Sequence, residues 1–346
     1  MKGQPESVAS LVAAAAGLLK GASSFSISTK VPKEWMSEEE GRFDRKLIGS
    51  ESVKSSLNRK LSSALSEASG LPYEADGDIR IVFDFTGEKA EVGTERVPVF
   101  VFGRYKKLVP GLSQSRWMCS DCDGKGCPRC RGKGKNYESV EERIGDVMKT
   151  HFSAQDYTMH ASGREDVDAT NIAGRPFVME IKNPMNRKSD LAKIKNEIDS
   201  GKEVSVDSLA MVPRSFTELV TESHFDKEYG ANVEFERDVG ESELHKLEAL
   251  AGTVLEQQTP ERVAHRRADL VRKRKVIELT LVKTLDPRHA AFRIHAEAGT
   301  YIKELVSGDS GRTKPSFAGI LGFSAKCTKL AVTRIDDGYL DTCMPG

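Results

Sequence analysis

Gly163 is followed at once by a dense run of charge: Arg164, Glu165, Asp166 and, two residues further, Asp168. A carboxylate beside an arginine is held ionised, because a nearby opposite charge lowers the pKa of an Asp. An ionised Asp in a cleft can act as nucleophile or base. Taken alone, the stretch His160–Ala169 reads equally as a solvated charged turn. If the stretch is extended, Asp166 and Asp168 point to one face.

A second grouping is directed at metal. Cys119-Ser-Asp-Cys122-Asp-Gly-Lys-Gly runs straight into Cys127-Pro-Arg-Cys130-Arg-Gly-Lys-Gly, two copies of Cys-x-x-Cys-x-Gly-x-Gly. Two Cys three apart on a tight turn aim both thiolates at one ion, and two such turns complete the tetrahedron zinc favours. The glycines let backbone amides fold toward the sulfurs. With four protein ligands no position stays open, so the expected Zn(2+) is structural; a pair of redox dithiols is the other reading. Clustering four of the six cysteines also argues against a disulfide framework and for a reducing, cytoplasmic setting. Lys125, Arg129, Arg131, Lys133 and Lys135 make this knuckle basic, either for phosphate contact or for solubility.

A third grouping is basic. Seven Lys or Arg fall between Arg262 and Lys275, among them Arg266 and Arg267. Such a run can contact phosphates and steer RNA, or form a solvated helix face. The chain's net charge is zero, so any nucleic-acid affinity must come from a local patch of this kind.

These residues need a frame, and 346 residues suffice for about two domains with a sizeable core. Val8–Leu19 reads as an Ala-rich helix, too short to span a bilayer. Leu57, Leu61 and Leu65 recur every four residues, which predicts an amphipathic helix. Alternation predicts a strand at Ile79–Phe85, and Val97–Gly103 a second one with Pro98 near its start. Helices are expected at Glu138–Lys149, Leu191–Ile198 and Ser242–Ala251. Strands are expected at Pro176–Ile181, Val204–Val212, Ala231–Phe235, Val276–Val282 and Ala291–Ala298. The order has no βαβ rhythm and favours an α+β fold with a mostly antiparallel sheet.

Gly163-Arg-Glu-Asp-Val-Asp168, followed by Gly174-Arg-Pro-Phe177, resembles the catalytic loop of pseudouridine synthases, Gly-Arg-x-Asp. It is similar in particular to the archaeal tRNA pseudouridine(54/55) synthases, the "Pus ten" class. Glu297-Ala-Gly-Thr-Tyr-Ile-Lys-Glu304, His265-Arg-Arg-Ala-Asp-Leu-Val-Arg272 and Gly308-Asp-Ser-Gly-Arg-Thr-Lys-Pro315 carry the same resemblance, which spans about Val97 to residue 335. Two departures stand out: the loop exit before Gly174 is one residue short, with Thr170 where Arg is usual, and the N-terminal part lacks the family's extra Cys-x-x-Cys.

The resemblance implies a tRNA pseudouridine synthase, an isomerase acting on a uridine (54 and/or 55) of the T-loop without an organic cofactor. It implies Asp166 as the catalytic nucleophile and Lys303 as its ionic partner. Gly299 and Thr300 would open a helix, with Thr300 as N-cap. Tyr301 and Tyr229 would lie against the flipped base, since an aromatic face accepts any base. Arg164, Arg266, Arg267 and Arg312 would bind substrate. The organisation expected is a THUMP-like RNA-binding module (1–112), a four-cysteine zinc knuckle (113–137) and a pseudouridine synthase catalytic domain (138–346). The partner is tRNA, through its T-arm, with no membrane and no obligatory protein partner. The alternative is a non-catalytic tRNA-binding or tRNA-folding protein on the same fold. A DnaJ-type zinc hairpin is disfavoured by having two Cys-x-x-Cys copies here rather than four.

Overall fold

The computed structural model describes residues 8–35, 52–264 and 268–344. They form two compact units, one of the described residues up to Val99 with Phe152–Asp156 and Ile181–Ser189, the other of the remaining described residues.

In the first unit, helices α1 (Val8–Leu18) and α2 (Val53–Ser69) cover a three-stranded sheet of β1 (Phe25–Lys30), β2 (Ile79–Asp84) and β3 (Glu91–Arg96). β1 and β2 run parallel, with Phe25 opposite Ile79, and β3 is antiparallel to β2. The four-residue leucine spacing does what it predicts: Leu61 and Leu65 are buried with Leu11, Val12 and Ala15 of α1 against Phe25, Ile79, Ile81 and Phe83. Ser52 caps α2 by accepting from the Ser55 N–H, and Gly70 ends it in the left-handed region.

The second unit is built on an eleven-stranded mixed sheet, counted among the described residues. Its strands are β4 (Val99–Lys107), β5 (Asp156–Ala161), β6 (Thr170–Lys182), β7 (Val204–Val206), β8 (Ala210–Val212), β9 (Lys227–Phe235), β10 (Val254–Gln258), β11 (Val271–Asp286), β12 (His289–Ala296), β13 (Thr313–Lys314) and β14 (Ala325–Ile335). The order β13-β10-β11-β12-β9-β14 is antiparallel throughout, and β14 then pairs parallel with β6. β9 lies inside this series, between β12 and β14. Its burial alternates strictly, so Lys227, Tyr229, Ala231, Val233 and Phe235 share the inward face. The fold is α+β, as expected.

Several element readings need correction. The strand expected at Val97–Gly103 begins after Pro98, runs to Lys107 and belongs to the large sheet. Val99, Phe100, Val101 and Phe102 are all buried, which requires cover on both faces. The Val204–Val212 stretch is two short strands, broken at 207–209. The helix expected at Ser242–Ala251 starts one residue earlier and becomes a 3-10 turn after Lys246. Its N-cap is Gly240, whose N–H donates to the Glu243 carboxylate at 3.2 Å.

Candidate active site

The loop joining β5 to β6 is held from beneath by buried polar groups. Lys107 on β4 is fully buried, and its ammonium donates to the carbonyls of Leu112 (3.0 Å), Asp166 (2.9 Å) and Val167 (3.1 Å). Three acceptors satisfy the three hydrogens of an ammonium, so this charge tolerates burial without a carboxylate. The Tyr105 hydroxyl donates to Glu165 at 2.9 Å, and the Gln114 amide donates to that hydroxyl (2.9 Å) and to the Gly163 carbonyl (2.8 Å). Arg175 on β6 meets Glu165 through Nε at 2.7 Å and the Ser162 carbonyl through Nη1 at 2.7 Å. The Arg175 and Glu165 side chains are each 2% exposed. Burial, with the charge of Glu165, raises the Tyr105 phenol well above its ordinary pKa. Gly163 takes φ +73, and a Cβ there would lie 3.2 Å from Arg175 Nη1. The glycine is thus required by backbone geometry and by the arginine behind it.

With Glu165 anchored below, Asp166 faces the other way. Arg262 Nη1 donates to its Oδ1 at 2.8 Å, and Lys303 Nζ stands 3.3 Å from Oδ2. Burial works to raise this carboxyl; the charges of Arg262 and then Lys303 outweigh it and hold the group below the ordinary Asp value. Arg262 is itself fixed by Glu304, Nε to Oε1 at 2.6 Å. Lys303 also contacts both oxygens of Asp168, at 2.6 and 2.8 Å. The loop is not extended here: the Ala169 N–H bonds back to the Asp166 carbonyl at 3.1 Å, and it is this turn that brings both aspartates to one lysine.

Asp166 borders a cavity of about 410 Å³ that Arg164, Lys227, Tyr229, Tyr301 and Lys303 also line. Tyr229 is buried on the inward face of β9, and burial pushes its phenol up to about 12. Lys227, two residues earlier on the same face, donates to the Phe225 carbonyl at 2.6 Å. Burial and then the charge of Arg175 push its ammonium down to about 8. Tyr301 stands at the start of helix α3 (Ile302–Ser307) and is its N-cap residue. Thr300 is therefore not the cap; its hydroxyl donates to the Glu297 carbonyl at 2.7 Å.

The structure thus brings Asp166, Lys303, Tyr229, Tyr301 and Arg164 to one cavity. Arg164 is exposed and does not hold Asp166; Arg262, from across the fold, takes that role. Nothing in the sequence separates Arg262 from the other cations of its run. Arg312 lies outside the cavity lining. It donates to the Thr259 carbonyl at 2.6 Å and pairs with Asp269 at 2.9 Å, so it braces a turn. Arg266 and Arg267 lie outside the described residues. Of the rest of the run, Arg272 and Arg274 line the cavity from the start of β11, a strand and not a helix face.

The four knuckle cysteines converge, with all their Sγ atoms within 4.8 Å of one another. Cys119–Cys127, Cys122–Cys130 and Cys127–Cys130 are each 3.8 Å apart. A tetrahedron with metal–sulfur bonds of about 2.3 Å has edges of about 3.8 Å, so the spacing fits a metal centre with four thiolate ligands. The amides of Cys127 and Gly134 donate to Cys130 Sγ at 3.1 and 3.2 Å, and Gly126 donates to Cys122 Sγ at 3.2 Å. A Cβ on Gly134 would collide with the Gly124 carbonyl oxygen, which accounts for the glycine spacing of the repeats.

A family model described as "Pus10, C-terminal" matches residues 100–336. The tRNA pseudouridine synthase Pus10 of Korarchaeum cryptofilum is 42% identical over 290 residues, covering 82% of this chain and 77% of that protein. That of Archaeoglobus fulgidus is 42% identical over 287 residues, 82% of this chain and 79% of the relative. Among solved structures, a Cbf5–Nop10–Gar1 complex aligns with a TM-score of 0.33 at 20% identity, over 56% of this chain and 44% of that one.

Proposed function

The chain belongs to the Pus10 family of tRNA pseudouridine synthases, and from that premise we propose that its substrate is a T-loop uridine, at position 54, 55 or both, with Asp166 as the nucleophile. The reaction is an isomerisation. The N1–C1′ bond of uridine breaks, a C5–C1′ bond forms, and the proton lost from C5 is balanced by one gained at N1. The protein must therefore admit a nucleotide taken out of its stack and present a carboxylate to it. One observation carries the assignment: Asp166 borders the cavity as an ionised carboxylate between two cations, Arg262 and Lys303, while Glu165 beside it is committed to Arg175.

In this reading Tyr229 and Tyr301 pack against the uracil, because an aromatic face accepts a base without hydrogen-bond demands. Lys303 and Arg262 orient Asp166 and keep it charged. Arg164, Arg266, Arg267 and Arg272 meet phosphates. Arg312 enters as a brace and not as a substrate contact. One zinc ion held by Cys119, Cys122, Cys127 and Cys130 stabilises the knuckle and takes no part in the reaction. The unit of α1, α2 and β1–β3 serves as the RNA-binding module, and the unit built on the eleven-stranded sheet, β4 included, as the catalytic domain.

The test is to incubate the protein and Asp166→Asn with unmodified tRNA transcript and map pseudouridine by carbodiimide modification and primer extension. The parent should modify a T-loop uridine. The Asn variant should lose at least about 10³-fold in single-turnover rate, with tRNA affinity retained because binding rests on phosphate contacts elsewhere. Normal turnover by Asp166→Asn would end this assignment; modification outside the T-loop would end the substrate proposal.

A further inference from the structure

Gln257 is fully buried in β10, and the chemistry proposed above does not use it. Its side-chain amide is bonded on both sides to Tyr301, with a longer contact of 3.5 Å from Nε2 to the Thr313 hydroxyl. Nε2 donates to the Tyr301 carbonyl at 3.0 Å, and Oε1 accepts from the Tyr301 N–H at 2.9 Å. A primary amide meeting one residue's N–H and C=O reproduces the paired bonds that a neighbouring strand would make. Tyr301 has non-helical φ/ψ of −91° and 97° and makes no side-chain cap bond, and a side chain from β10 holds the start of α3. Two and three residues further on stand Lys303, against Asp166 and Asp168, and Glu304, against Arg262. Arg262 follows Gln257 by five residues, at the start of the helical turn Glu261–Ala264. β10 thus sits at the base of both charge contacts of Asp166.

We propose that Gln257 is a positioning residue for the isomerisation: by fixing the Tyr301 backbone it sets the ring of Tyr301 in the cavity and the reach of Lys303 toward Asp166. This rests on the site reading above. Displacing a positioned group by about 1 Å can cost on the order of 10²-fold in rate. Gln257→Leu removes both bonds. Gln257→Glu keeps the volume and still accepts from the Tyr301 N–H but cannot donate to the carbonyl when ionised, so it should fall between Leu and the parent.

The experiment measures single-turnover pseudouridine formation at saturating protein, and tRNA affinity separately, for the parent, Gln257→Leu, Gln257→Glu, Tyr301→Ala and the double variant Gln257→Leu with Tyr301→Ala. We expect the Leu variant to be roughly 10- to 100-fold slower with affinity within about twofold of the parent. The double variant should lose less than the product of the two single losses, because Tyr301→Ala removes the ring that Gln257 sets but keeps the backbone groups it binds, leaving only the Lys303 share of its effect. A residue needed only for stability would give multiplied losses. Parental rates in both Gln257 variants, multiplied losses in the double variant, or a loss confined to affinity would each overturn the proposal. Should Gln257→Leu not fold, the isosteric Glu variant decides by the same rate and affinity split. An inactive parent would sink the site reading as well, whereas an active parent beside equally active variants sinks only this inference.

Discussion

Asp166 is a partly exposed carboxylate whose ionisation is set by residues distant in the chain. Burial alone would raise its pKa, so its charge depends on Arg262 and Lys303. In the proposed mechanism the reactive form is the anion, and its folded pKa is depressed, so activity should persist as pH falls until it reaches that low value. Removing a cation lets burial dominate and raises the pKa, so the acid limb of the rate profile moves to higher pH. Arg262→Met should move it further than Lys303→Met, because Arg262 is the closer partner at 2.8 Å against 3.3 Å and Lys303 divides its charge with Asp168. Single-turnover rates from pH 5 to 9 check this. An acid limb that stays in place in both variants would mean that another group governs the profile. Asp168→Asn should leave substantial activity, since Lys303 then has Asp166 as its remaining carboxylate partner in this pair of contacts.

Two elements hold their shape through polar groups rather than apolar packing. The loop that carries Asp166 rests on the buried pair Glu165–Arg175, joined by Tyr105, Gln114 and Lys107. Breaking a buried pair from one side leaves an uncompensated charge. Arg175→Leu should therefore destabilise the protein by about 3–5 kcal/mol, read as a lower urea midpoint. Adding Glu165→Gln should recover part of the loss, because the orphaned charge is gone. Stability unchanged in Arg175→Leu would show that water reaches Glu165. The knuckle is the second such element. The amides of Gly126, Cys127 and Gly134 donate to its sulfurs, and in the proposed reading one zinc ion orders the segment. Freshly purified reduced protein should carry about one zinc per chain by elemental analysis, and Cys122→Ser with Cys127→Ser should release it and raise protease cleavage between residues 113 and 137. Metal-free protein with an intact knuckle would refute the zinc reading.

Over the whole molecule the formal charge is zero, yet Arg164, Lys227, Arg262, Arg272, Arg274 and Lys303 all border one cavity. Attraction for a polyanion is therefore local, and salt should report on those residues. Arg164→Ala with Arg272→Ala should weaken tRNA binding and reduce the slope of log affinity against log salt by roughly 1 to 2, since each lost phosphate contact removes close to one released counterion. An unchanged slope would assign both side chains to solvent. Among the described residues no helix is long and apolar enough to cross a membrane.

Local signals in the sequence settle what local physics settles. Four-residue leucine spacing places α2, alternation places β2 and β9, and the paired Cys-x-x-Cys-x-Gly-x-Gly units name the four metal-directed thiols, because each pattern acts over a few residues. The Gly-Arg-x-Asp loop and its resemblance also single out Asp166 as the residue to test. The partner of that aspartate is a different kind of fact. Arg164 is near in the chain and makes no bond to it; Arg262 lies 96 positions distant and does. Glu165 and Arg175 stand in the motif with no role that the sequence assigns, Tyr105 reads as an ordinary strand residue, and Gln257 has no signal at all. Electrostatic and hydrogen-bond partners are chosen by distance in space, which strand order and register decide, so only the tertiary structure could say which charges hold Asp166 and which side chain holds Tyr301.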